Sequence, residues 1–138
     1  GKMVETKRRN LDQFTIESES ANNKDKLELS SRRVVDILDQ MSEIFLPRDI
    51  LLGSSGILPV YYWFVRHQKS KEYPFIREFL IDFERERKLN RGIPQNIQVV
   101  KSNDFTRFDE FNRNTNDIAS HNGRFMILVD YFRKRKKR

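Results

Sequence analysis

The chain has 138 residues, 37% hydrophobic and 34% charged, with 11 Phe, one Trp and no Cys. That length and balance suit one folded unit with a core and exclude a wholly disordered chain, and no apolar run approaches the roughly 20 residues of a membrane span. Without a thiol there is neither a disulfide framework nor a thiolate metal site, and the basic start GKMVETKRRN leads into no apolar signal core, so a soluble cytoplasmic protein is expected.

The net charge is +7, but it is unevenly placed: taking the 6 cations of the terminal RKRKKR from the 27 Lys+Arg leaves 21 against 20 acids. Attraction to polyanions therefore rests mainly on Arg133, Lys134, Arg135, Lys136, Lys137 and Arg138, read as a flexible basic tail over 133–138.

Residues 1–26 are mixed in charge and rich in Ser, Asn and Lys, with only the alternating FTIES to suggest a strand, and read as a flexible or partner-ordered N-terminal arm. The helical domain spans 27–132. From a cap at Ser30 or Ser31, Val34, Leu38, Met41 and Phe45 recur at helical spacing, and Pro47 ends the helix or opens a short turn through Ile50 to Leu52. After the GSSG loop, Pro59 suits the first turn of a helix whose run Val60 to Val65 is apolar or aromatic on every side. A buried strand competes for so short a run; either way Trp63 is expected at the centre of the fold. Pro74 and Gly92 bracket a further helix with one face of Phe75, Ile76, Phe79, Leu80 and Phe83 and a charged opposite face. Phe105, Phe108 and Phe111 or Asn112 mark another helix, and a last one from about Ser120 to Lys134 presents Phe125, Leu128, Val129 and Phe132. The expectation is an all-α fold of about five helices.

Chemical motifs are sparse. His67 and His121 are 54 positions apart and are the only histidines, which disfavours a histidine-rich metal centre. The ERERK at Glu84 to Lys88 contains a Glu-x-Lys, the fragment of many nuclease sites, but such sites set it on a strand beside another acid, and here it falls on a helix. The GSSG lacks the Gly-Lys-Ser/Thr of a phosphate loop.

One stretch is polar beyond the needs of a turn, NRNTNDIASHNGRF from Asn112 to Phe125. Asn114, Thr115, Asn116 and Asp117 bond to nearby backbone and stop the preceding helix, and Asp117 or Ser120 caps the next. Arg124 then falls in about its first turn, where a cation opposes the helix dipole unless something offsets it. Two offsets are open: a salt bridge to Asp117, Asp109 or Glu110, or a bound phosphate, with Arg113 alongside.

The segments SSGILPVYYWFVR, IREFLIDFERERKLNR and FDEFNRNTNDIASHNGRFMILVDYF, covering about Ile50 to Phe132, resemble the C-terminal helical part of the domain of unknown function 262 family, the ParB-like, GmrSD-type proteins of restriction and phage defence. Members carry an N-terminal ParB-like domain with an Asp-Gly-Gln-Gln-Arg type motif tied to nucleotide hydrolysis and DNA cleavage, and some a C-terminal His-Asn-His nuclease. Neither motif is present here, so the resemblance implies a non-catalytic, cofactor-free end of a restriction-type protein. That end would position a ParB-like catalytic domain in cis or trans, or contact DNA through Arg113, Arg124 and the basic tail. The alternative is a protein-interaction module without a nucleic-acid role, with Tyr61, Tyr62 and Trp63 as partly exposed anchors. A nuclease using Glu84 and Glu86 is the third reading.

Overall fold

The computed structural model describes residues 7–19, 23–93 and 103–136, and these are helical, with no strand among them. In chain order the helices are α1 (Arg8–Ser18), α2 (Lys24–Ile44), α3 (Leu58–Arg66), α4 (Tyr73–Gly92), α5 (Asn103–Phe111) and α6 (Ile118–Arg135), with 3-10 turns at Ile50–Leu52 and Ser70–Glu72. The all-α expectation holds, with six helices among the described residues rather than about five.

The centre of the fold is α3. Pro59 opens it, and Val60, Tyr61, Phe64 and Val65 are fully enclosed, a spacing that makes one helical face for α2 and α6 to cover. That tertiary cover decides for helix over strand. Around α3 the phenylalanines form a continuous aromatic slab: Phe64 meets Phe79 and Phe132 at 5.7 and 5.4 Å between ring centres, and Phe83 meets Phe105 and Phe108 at 5.4 and 5.2 Å. Edge-to-face and tilted contacts of this kind let rings fill space without repelling face to face.

Three expectations change in detail. Trp63 is half-buried, not central, because α3 turns it to the side of the covered face; it stacks on His67 at 5.5 Å, with the Arg66 guanidinium 4.7 Å from its ring centre. Phe75 stands 63% exposed while Ile76, Phe79, Leu80 and Phe83 are buried, since none of the described helices covers the first turn of α4 on that side. At the N-terminus α2 begins at Lys24, not at Ser30 or Ser31, and α1 lies within the residues read as an arm. No proline or glycine falls within α1 or α2, so neither is interrupted inside its own span. Polar pairs one turn apart support them: Gln13 donates to Glu17 at 2.8 Å and Arg32 to Glu28 at 2.6 Å. No α1 residue is buried.

Where α2 ends, a buried carboxylate fixes the turn. Asp49 accepts from the Leu46 and Leu51 amides at 2.9 and 3.1 Å and pairs with Arg77 of α4, which also donates to the Ile44 carbonyl at 3.2 Å. Burial alone would raise the Asp49 carboxyl, but the Arg77 guanidinium and the two amides outweigh it and hold it below the ordinary carboxylate range. A depressed carboxyl stabilises the fold above the unfolded value, about pH 4, and loses that contribution as pH falls through the folded value. Asp49→Asn is expected to cost about 1–3 kcal/mol at pH 7 in urea unfolding, and to flatten the loss of stability below pH 4.

Candidate functional site

The polar stretch from Asn112 to Phe125 resolves into a junction of α3, α5 and α6 built on Arg124, which is fully enclosed. Its Nε donates to the Ser120 carbonyl at 3.2 Å, and one Nη donates both to the Gly56 carbonyl at 2.9 Å and to Asn112 Oδ1 at 3.1 Å. Two glycines allow the approach. A Cβ on Gly56 would stand 2.5 Å from the Thr115 methyl, and one on Gly123 would collide with the Phe111 ring. Small residues here are therefore contact surfaces, not hinges.

Neither offset expected for Arg124 applies. Asp117 pairs with Lys7 at 2.7 Å, and Asp109 is engaged by Arg87 and Arg91, each at 2.8 Å. Because α6 starts at Ile118, Arg124 lies in its second turn, beyond the strongest part of the dipole. Carbonyl and amide oxygens serve as the counter-charge. Burial, and then the positive charge of Arg87, push the guanidinium below its ordinary value, although arginine keeps its proton in proteins. Being enclosed, Arg124 offers no surface to a phosphate.

Beside it, His121 is 2% exposed and its Nε2 has no hydrogen-bond partner, while Nδ1 is 3.5 Å from an Arg124 Nη. Burial first, and then Arg124, lower its affinity for a proton, against a smaller opposing effect of Asp117. The ring is a neutral wedge in the first turn of α6.

A second polar system links α3, α4 and α5. The Tyr61 hydroxyl donates to Glu84 Oε1 at 3.3 Å, and Arg87 donates to Glu84 Oε2 at 2.6 Å and to Asp109 Oδ1 at 2.8 Å. Arg91 then takes both oxygens of Asp109, at 3.1 and 2.8 Å. Burial raises the Tyr61 phenol, and the Glu84 charge raises it further. Glu84 is thus committed to structure, and Glu86, two residues along the helix, is exposed on another side. Among the described residues, no three His, Cys, Asp or Glu side chains are grouped to hold a metal ion.

The basic end is not a free tail over 133–136. Arg133, Lys134 and Arg135 form the last turn of α6, where cations complement the dipole. Arg135 bridges to Asp82 at 2.5 Å and Glu78 at 3.2 Å; Lys136 pairs with Glu72 and lies 4.4 Å from the Phe132 ring centre. The periodicity of α6 simply continues into the basic run. Lys137 and Arg138 lie outside the described residues. Arg113 is exposed in the turn before α6, a helix-length from that basic end, so the cations expected to bind nucleic acid do not converge on one site. Of the three aromatic anchors, Tyr61 is fully enclosed, and Tyr62 and Trp63 are half-buried.

No family model, curated protein or solved structure matches the chain.

Two outcomes test the junction. Arg124→Met leaves the half-buried Gly56 carbonyl unpaired, while the exposed Asn112 amide returns to water, and is expected to cost about 1–3 kcal/mol; Arg124→Lys, a single ammonium without the planar fork, should recover little of it in urea unfolding. For His121 the sign follows from a proton the unfolded chain takes up near pH 6.5 and the folded chain resists. Stability should be unaffected by this group above that pH and fall as pH drops below it, and His121→Gln should reduce the fall measured between pH 7 and 5.

Proposed function

We propose that this is a non-catalytic helical domain of a restriction or phage-defence type protein, which works without a cofactor by holding a ParB-like catalytic domain in position. The observation that supports it is where the family-like segments meet. SSGILP supplies the Gly56 carbonyl, the NRNTND run supplies Asn112 and Thr115, and NGRF supplies Gly123 and Arg124, all at one junction around the buried guanidinium. A pattern used to lock three helices together describes an architecture rather than an active site. Glu84, the acid of the nuclease reading, is held by Arg87 and Tyr61, which argues the same way.

Contact with DNA belongs to this proposal in a reduced form. Arg113, Arg133 and Lys134 are exposed, whereas Arg124 is enclosed and Arg135 and Lys136 are in ion pairs. Scattered exposed cations favour weak binding to phosphates without base reading. The protein-interaction reading is favoured by a different observation: Leu29, Val34, Val35 and Leu38 of α2 are 43–63% exposed.

Incubated with DNA, a nucleoside triphosphate and Mg²⁺, the purified chain is expected to cleave neither; turnover abolished by Glu84→Gln would overturn the proposal. In anisotropy titrations against salt, replacing Arg113, Arg133 and Lys134 by Gln should flatten the slope of log K by about 2–3, at roughly 0.9 for each duplex phosphate no longer neutralised. Undetectable binding by the intact chain at low salt would leave the interaction module as the better account.

A further inference from the structure

The first turn of α6 encloses a histidine that has nowhere to put a second proton. A guanidinium only donates, so His121 Nδ1, 3.5 Å from an Arg124 Nη, is the accepting nitrogen of the ring, and the proton of the neutral imidazole sits on Nε2. That nitrogen is buried with no hydrogen-bond partner among the described residues. A further proton would go on Nδ1, facing a cation that is itself fully enclosed.

The neighbouring elements offer no counter-charge. Asp117, the acid whose field reaches the ring, is bound to Lys7 at 2.7 Å. α3, packed on α6, contains no acid; its Tyr61 hydroxyl is turned to Glu84 and its Arg66 to Trp63. On α5, Asp109 is engaged by Arg87 and Arg91, Glu110 is exposed, and Asp104 lies at the opposite end of the helix. From α4 the charge that reaches the junction is that of Arg87, another cation. The imidazolium is therefore incompatible with the closed junction and is accommodated only where the ring meets water.

The chain around His121 can open without the rest of the fold. None of residues 112–119 is buried, and the Asp117 side chain makes no cap to α6, whose start is tied by the His121 amide to the Asp117 carbonyl at 3.0 Å. Beyond Arg124 the same helix is held by its apolar face: Leu128 and Phe132 are buried, and Phe132 lies 5.4 and 4.9 Å from the ring centres of Phe64 and Phe79. Local opening is confined to segments with few buried contacts, and here that segment ends at the junction.

We propose that His121 is an acid-operated latch: when its ring takes up a proton it leaves the junction, and the turn from Asn112 to Arg124 comes away from α3 while the aromatic slab stays assembled. Opening separates Arg124 from the Gly56 carbonyl, so that a guanidinium enclosed at neutral pH meets solvent in acid. The inference is independent of the restriction-type reading above, and requires neither DNA nor a catalytic domain.

Hydrogen exchange of the intact chain at pH 7 and 5, corrected for the intrinsic effect of pH on exchange, tests it. Uptake of one proton on opening raises the opening equilibrium by up to about tenfold per pH unit below about 6.5. The amides of Ser120 to Arg124 should lose protection on that scale, while those of Ile76 to Phe83 in α4 keep theirs. His121→Gln, uncharged at every pH, should remove the response, and His67→Gln, at the exposed histidine, should leave it intact. An NMR titration of the wild-type rings needs no variant: His121 should take up its proton below the ordinary histidine value. A His121 ring that titrates at or above that value would overturn the proposal. Protection lost equally in α4 and α6, or the same loss at Ser120 to Arg124 in His121→Gln, would overturn it too.

Discussion

The fold depends on a cation that has been taken out of water without a carboxylate to meet it. Removing a guanidinium from solvent is expensive, and what offsets the cost around Arg124 is geometry: a planar fork of donors set between the Gly56 carbonyl, Asn112 and the Ser120 carbonyl. Each acceptor belongs to a different part of the chain, so satisfying the fork positions the start of α3, the end of α5 and the first turns of α6 together. A hydrophobic contact could slide by an ångström at little cost, whereas these hydrogen bonds specify a single arrangement. The glycines at 56 and 123 and the unpartnered His121 nitrogen are consequences of packing that closely.

Much of this was legible in the sequence, and the parts that were not share a cause. Helical spacing and the prolines at 59 and 74 located α3 and α4, and the apolar positions Leu128, Val129 and Phe132 are buried as their spacing indicates. What periodicity cannot give is which side of an element the neighbours cover. Trp63 and Phe75 sit on correct helices but at uncovered positions, and Val34 and Leu38 lie on a correct stripe that the domain leaves open. At the N-terminus polar composition located no helix, because α1 and the start of α2 are supported by pairs one turn apart, which composition does not register.

The candidate site was visible as a conflict rather than as a motif. An arginine near the start of the last helix, behind a glycine and a run of amides, announced that something had to satisfy it. The sequence suggested an acid or a phosphate, because those are the usual partners of arginine. A backbone carbonyl 68 residues away carries no side-chain signature, and so Gly56 could not be read as its partner. For the same reason the basic terminal run looked free: the acids that engage Arg135 and Lys136 lie on or just before α4, more than fifty residues earlier.

The relay from Tyr61 through Glu84, Arg87 and Asp109 to Arg91 has its own bearing on how the domain tolerates change. It clamps α5 to α4 through alternating charges, reinforced by the Arg87 guanidinium 5.0 Å from the Phe108 ring centre. Asp109 is the shared acceptor of this clamp, so a substitution there takes a partner from two guanidiniums on α4 at once, whereas loss of Arg91 leaves Arg87 bound to both Asp109 and Glu84. Change is therefore tolerated at the exposed end of the relay and not at the carboxylate on which its two arginines converge.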